Sequence, residues 1–264
     1  AAAHEAIVEH CVELLCETIR EPLFPQDTRM NAVRCVCNLV VYHTPARKAC
    51  VDAEVTIALA VVYKTLVDEE DKAIIATILR DLSWYTGGVV LMLNQGATST
   101  LLKLAKMELA SIKHDVASAI TNLCACRLQS PIVEEGVVEA LFWITLQDCL
   151  SLTTSVWRET SISVRYLLQH PTLLPMVALE DKLLQVLLKL ARFMECADTR
   201  LNAAVSLYHL LGFEPAQKVL VRKNVIPVII ELASSGGTEI KEVCSAALHQ
   251  LPNSLLKDVD GAVL

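Results

Sequence analysis

Six strings in this 264-residue chain repeat one pattern at a near-constant interval, and that interval constrains the fold more than any other feature. They are NAVRCVCNL (31–39), IIATILRDL (74–82), KHDVASAITNLCA (113–125), ETSISVRYL (159–167), NAAVSLYHL (202–210) and VCSAALHQL (243–251). Anchored on Leu39, Leu82, Leu123, Leu167, Leu210 and Leu251, they are spaced by 43, 41, 44, 43 and 41 residues. Three positions before each anchor lie Val36, Leu79, Ile120, Val164, Leu207 and Leu248, all apolar. Six before lie Val33, Ala76, Ala117, Ser161, Ala204 and Ser245, all small or short enough for helices to approach closely. Apolar residues at this spacing form one buried stripe of a helix. A helical pattern repeating about every 42 residues predicts an all-α solenoid, in which stacked neighbours bury what one unit cannot.

Composition fits that reading. The chain is 53% hydrophobic and 20% charged, with mean hydropathy +0.44, because stacked helices are covered on both sides. No run of about 18 uncharged apolar residues occurs, so no membrane span is expected. The longest apolar stretch, Val55 to Val67, is broken by Thr56, Lys64 and Thr65. The net charge of −7 and the absence of a Lys/Arg cluster argue against nucleic acid and mildly favour basic or neutral protein partners. Ten cysteines fall mostly where other repeats carry Ala, Ser or Val, and are expected to be reduced and structural. The two C-x-C pairs, 35/37 and 124/126, point to different faces of a helix and do not suit a shared zinc. The N-terminus AAAHEAIVEH has neither a basic n-region nor an apolar signal core, which leads to the expectation of a processed or truncated intracellular chain.

Taken in order, residues 3–19 predict an amphipathic helix with Ile7, Cys11, Leu14 and Leu15 inward. EPLFPQD (21–27) is a break, with Asp27 or Thr28 as N-cap of the anchor helix 28–43. A short helix from Pro45 leads to an apolar one over 54–67, and the acidic DEED (68–71) opens the second anchor helix. The order then recurs: short helix, break at Gly96, longer helix, anchor helix 111–126. Later units carry long helices at 137–149, 180–195 and 225–235, and anchor helices at 155–169 and 199–211, the latter capped by Asp198. A final anchor helix is broken by Pro252. The units run approximately 1–43, 44–86, 87–127, 128–170, 171–212 and 213–252, with a C-terminal cap at 253–264, all within one domain.

Short helix, longer helix and anchor helix, with Gly between the first two, resemble the armadillo repeat family. The likeness is most specific in GATSTLLKLAKMELASIKHDVASAITNLCA (96–125) and NVIPVIIELASSGGTEIKEVCSAALHQL (224–251). It spans essentially the whole chain as six units, the first without its short helix. The fourth unit lacks the Asn before its anchor, and Ala53, Leu179 and Asn224 stand where the kink glycine is expected. The HEAT arrangement is the alternative, but the three-helix unit and the Asn-Leu pair favour armadillo. The resemblance implies a right-handed solenoid whose third helices line a concave groove, with the residue before each anchor facing it.

That row reads Asn38, Asp81, Asn122, Tyr166, His209 and Gln250. One turn earlier lie Arg34, Thr77, Ser118, Ile162, Val205 and Ala246. Asn side chains can pair with the backbone of an extended peptide, whatever its sequence. Arg34, Arg80 and Arg165 add possible bidentate recognition of acidic groups. The plain alternative is a solvated helix face. The polar first half suits an extended peptide, and the smoother second half a packed helix. Nuclear-import adaptors of this family carry Trp at the earlier row, whereas Trp84, Trp143 and Trp157 fall elsewhere, which disfavours that role. No phosphate loop, dinucleotide fingerprint or H-E-x-x-H motif appears, and the seven histidines are scattered, so no enzyme, cofactor or metal is expected. The expectation is a protein-binding adaptor or scaffold, cytoplasmic and of the cytoskeletal or ciliary kind, with a regulator of a GTPase as the competing class.

Overall fold

The computed structural model describes residues 2–126, 133, 136–146, 152–252 and 255, with side chains from residue 5 onward. Cys149 and all of the expected C-terminal cap except Leu255 lie outside the described residues. The chain divides into two compact units, 1–140 and 141–264, and each is described by itself. Among the described residues every regular element is a helix.

The first unit contains α1 (Ala2–Arg20), α2 (Gln26–Tyr42), α3 (Thr44–Asp52), α4 (Val55–Tyr63), α5 (Glu69–Ser83), α6 (Val89–Asn94), α7 (Ala97–Ala105) and α8 (Ala110–Ala125). A single 3-10 turn, Thr86–Gly88, precedes α6, and the division between units falls inside α9 (Val137–Leu146). The anchor helices α2, α5 and α8 pack in succession. The predicted stripes are their contact surfaces: Val33 and Val36 on α2, Ala76, Leu79 and Leu82 on α5, and Ala117, Ile120 and Leu123 on α8 are buried. Small residues in the Ala76–Ala117 column let the helices approach closely, so larger side chains there would overpack.

The second unit holds α10 (Thr154–Gln169), α11 (Leu174–Val177), α12 (Asp181–Arg192), α13 (Ala197–Gly212), α14 (Glu214–Arg222), α15 (Val225–Ser235) and α16 (Thr238–Leu248). Here α10, α13 and α16 pack in succession, with α12 against α13 and α15 against α16. Ser161 and Ala204 are buried in the small-residue column, whereas Ser245 on the last anchor helix is exposed.

Several boundaries differ from expectation. The stripe that α1 buries is Val12, Cys16 and Ile19; Ile7 is 63% exposed, Leu14 is 50% exposed and Cys11 is exposed too. Both stripes are apolar at helical spacing, and α2, α3 and α4 cover only one of them. Helix α2 starts at Gln26 after Pro25, so Asp27 and Thr28 lie in its first turn rather than capping it. Asp198 lies in the first turn of α13, whose N-cap is Cys196, and accepts instead from Arg158 Nε at 3.0 Å. By contrast Asp68 caps α5, accepting from the Glu70 backbone N–H at 2.9 Å. Helices α4 and α12 stop at Tyr63 and Arg192, each three or four residues short of the apolar pattern.

The bend between short and long helices is a left-handed residue: Gly96 (φ 79°), Gly136 (φ 96°) and Asn224 (φ 55°). In the second repeat it is Glu54 (φ 59°), one residue beyond the expected Ala53, and in the fifth repeat neither Leu179 nor Glu180 adopts it. Arg20 compensates at Glu54, its Nη2 donating to the carbonyls of Ala53 (3.2 Å) and Glu54 (3.0 Å) and to Glu54 Oε2 (3.2 Å). No atom lies within 4 Å of a Cβ built at Gly96, so Gly96→Ala tests backbone strain alone. The substitution is expected to cost about 1 kcal/mol, left-handed strain partly offset by a stiffer unfolded chain. A thermal midpoint unchanged from wild type would contradict it.

A column ten residues before each anchor is basic in every repeat but one: Arg29, Lys72, Lys113, Trp157, Arg200 and Lys241. Arg29 is buried and donates through Nε to Ile19 O (2.9 Å), at the end of α1. Buried Arg200 donates through Nη2 to Ser235 Oγ (2.6 Å) and Leu232 O (3.4 Å), at the end of α15. Lys72 donates to Val67 O in the loop before α5 (3.3 Å). Positive groups at helix C-termini meet unpaired carbonyls and the negative end of the dipole.

Candidate binding face of the third helices

In the first unit the face is carried by α2, α5 and α8. Asn38 is exposed, and Arg34 one turn earlier is half-exposed, donating to Asp71 Oδ1 (2.8 Å) and Asn31 Oδ1 (3.2 Å). Asp81 departs from the row: it is only 6% exposed and lies beneath Arg80, accepting from its Nε at 2.9 Å. Arg80 Nη1 also donates to Asp115 Oδ1 on α8, whose Oδ2 accepts from Thr77 Oγ1 at 2.6 Å. His114 Nδ1 lies 3.3 Å from the same carboxylate. Burial opposes the Arg80 charge, but Asp81 and Asp115 outweigh it and hold the guanidinium pKa above its ordinary value. Arg80 is therefore committed to two internal carboxylates, and its bond to Asp115 ties α5 to α8. Half-buried Asn122 makes a parallel tie, Nδ2 donating to Ser83 Oγ at 2.9 Å, with Ser118 half-buried one turn before it.

In the second unit α10 and α13 flank a cavity of about 390 Å³. Its lining is Arg158, Ile162, Arg165 and Tyr166 from α10, with Asp198, Leu201 and Asn202 from α13. Tyr166 is 38% exposed. Arg165 Nη1 donates to Asn202 Oδ1 (3.1 Å), and Asn202 Nδ2 donates to Ser161 Oγ (3.0 Å). His209 is half-buried, and its pKa is lowered first by burial and then by the charge of Arg165. Gln250 is also half-buried; its Oε1 lies over Gly212 and has no hydrogen-bond partner among the described residues. The row thus holds open positions at Asn38 and Tyr166, partly covered ones at Asn122, His209 and Gln250, and a buried one at Asp81.

The nine described cysteines are free thiols. Burial pushes Cys16 and Cys244 up to about 11 and Cys50 and Cys124 up to about 12, so these four remain protonated at neutral pH. Among the described residues no three His, Cys, Asp or Glu side chains gather as a metal site. No single described helix is long and apolar enough to cross a membrane.

No family model matches the chain, and no curated protein matches it in sequence. Solved structures do. A computationally designed armadillo repeat protein for modular peptide recognition superposes with a TM-score of 0.73 at 16% identity, covering 91% of this chain and 100% of its own. The chain has the armadillo-repeat fold. A second designed armadillo protein, in complex with the peptide (KR)4, gives 0.67 at 15% identity, over 91% of this chain and 99% of its own. An engineered protein gives 0.68 at 22% identity, over 90% of this chain and 95% of its own. In this armadillo fold the helices that carry Asn38 and Tyr166 are the third helices of their repeats.

Proposed function

We propose that this chain is a non-catalytic adaptor or scaffold that binds a segment of a partner protein along the face of its third helices. The observation that carries the reading is the contrast between buried columns and the adjacent row. Asn38 and Tyr166 stand open beside positions that are almost wholly buried, and Tyr166 borders a cavity. Exposed tyrosine and arginine beside a concavity are typical anchors of protein recognition. The designed armadillo proteins of similar structure, one of them bound to a peptide, support an extended segment as the ligand. The Ala- and Cys-rich repeats without tryptophan in the earlier row favour a cytoplasmic role in a cytoskeletal or ciliary assembly over nuclear import.

Partner purification from the native cell tests this with Asn38→Ala/Tyr166→Ala. Asn122 is left intact because its bond to Ser83 joins two repeats. The expected result is selective loss of one partner with the melting temperature unchanged. Retention of every partner would remove the third-helix face as the binding surface.

A further inference from the structure

Three arginines were expected to serve acidic recognition, and their environments separate them. Arg34 is paired with Asp71, and Arg80 with both Asp81 and Asp115. Arg165 meets only the neutral amide of Asn202, and among the described residues no carboxylate pairs with it. The repeat makes the comparison direct. Arg80 and Arg165 both lie two residues before their anchors, and Asp115 and Asn202 both lie eight before the next. The same inter-helix bond is therefore built twice, once with a carboxylate and once with its neutral isostere. Asn202 is oriented by Ser161, so Arg165 is held in place without being neutralised.

We propose that the cavity between α10 and α13 is a pocket for one acidic side chain of a bound peptide, with Arg165 as its principal donor. The inference rests on the adaptor reading and names the ligand chemistry at one position. A guanidinium offers five N–H donors in a planar fork, and Nη1 alone is engaged by Asn202. Ile162, Leu201 and the Tyr166 ring supply apolar surface beside the guanidinium, against which the aliphatic stem of an acidic side chain can pack. Asp198 also lines the cavity, but its carboxylate accepts from Arg158 Nε at 3.0 Å, both side chains being solvent-exposed, so its charge is met by Arg158 and not by Arg165. The lowered pKa of His209 reflects, after burial, the uncompensated charge of Arg165. The overall charge of −7 does not oppose this, because local potential and not net charge governs a single pocket.

The test uses fluorescein-labelled dodecapeptides of alternating Glu and Leu, with Gln-for-Glu and Lys-for-Glu counterparts, read by anisotropy against the full chain. The Glu peptide is expected to bind at least about tenfold tighter than its Gln counterpart. Arg165→Gln and Asn202→Asp should each weaken it by about tenfold, the second by restoring the carboxylate found opposite Arg80. Both should also raise the His209 pKa followed by NMR, which verifies that the charge was removed in a folded protein. Equal affinity for the Glu and Gln peptides, or indifference to both substitutions, overturns the pocket. Binding of the Gln or Lys peptide at least as tight as that of the Glu peptide, and abolished by Asn38→Ala/Tyr166→Ala, would overturn the acidic pocket and leave the adaptor reading standing. Binding of none of the three overturns the pocket, and partner purification then decides the adaptor reading separately.

Discussion

Asp115→Ala is expected to destabilise the protein by about 3 kcal/mol, far more than an ordinary polar substitution on a helix face. Asp115 is 7% exposed, and its two oxygens accept from Arg80 and Thr77 on the neighbouring helix. Removing it leaves Arg80, itself largely covered, with Asp81 alone, and strips Thr77 of its inter-repeat acceptor. Thr77 keeps a bond to Ala73 O at 3.2 Å, and Arg80 retains some contact with water. Those remainders place the cost at the lower end of the range for breaking a buried pair, about 3–5 kcal/mol. Asp115→Asn should cost about half as much, because the amide oxygen preserves an acceptor, as Asn202 does opposite Arg165. Urea unfolding of the two variants and of Arg80→Ala/Asp115→Ala measures the pair. A coupling of about 1–2 kcal/mol is expected, and additive single effects would show that the two side chains do not support one another.

The periodic core was readable because it depends on spacing within a single helix. Leu79, Leu82, Ile120 and Leu123 announce their burial through neighbours three and four residues away. Asp81 could not be placed this way. It occupies the same position as Asn38 and Asn122, and its burial follows from Arg80 bridging to Asp115, 35 residues later. Glu54 failed for the same reason. No local signal marks a glutamate as left-handed, and the Arg20 that supports it is 34 residues away. At α1 the sequence carries two apolar stripes, 7/11/14 and 12/16/19, and only the arrangement of α2, α3 and α4 selects between them. The basic column was accessible in principle. Aligning ten residues before each anchor brings out Arg29, Lys72, Lys113, Arg200 and Lys241, but its purpose depends on which carbonyls lie opposite.

The one interruption of that column carries the largest expected effect. Trp157→Ala should cost about 4 kcal/mol, since the indole is fully buried and large-to-small changes at such sites leave a cavity. The ring stacks on Phe193 with centroids 4.9 Å apart and planes 19° from parallel, a contact worth a further fraction of a kcal/mol up to about 1.5. Trp157→Phe should lose far less, about 1 kcal/mol, because it keeps an aromatic surface and removes an Nε1–H that is buried without a hydrogen-bond partner among the described residues. Equal losses for Ala and Phe would mean that the indole's size, and not the stack, fixes the site. A tryptophan can stand where other repeats place a cation because the cation comes from elsewhere. Lys189 on α12 donates through Nζ to Thr145 O at 2.6 Å, near the end of α9, as Arg29 does for α1. Trp157 is thereby released from capping and becomes a packing residue. The Ala variant should therefore unfold at lower denaturant in thermal and urea melts, while the Phe variant remains near wild type.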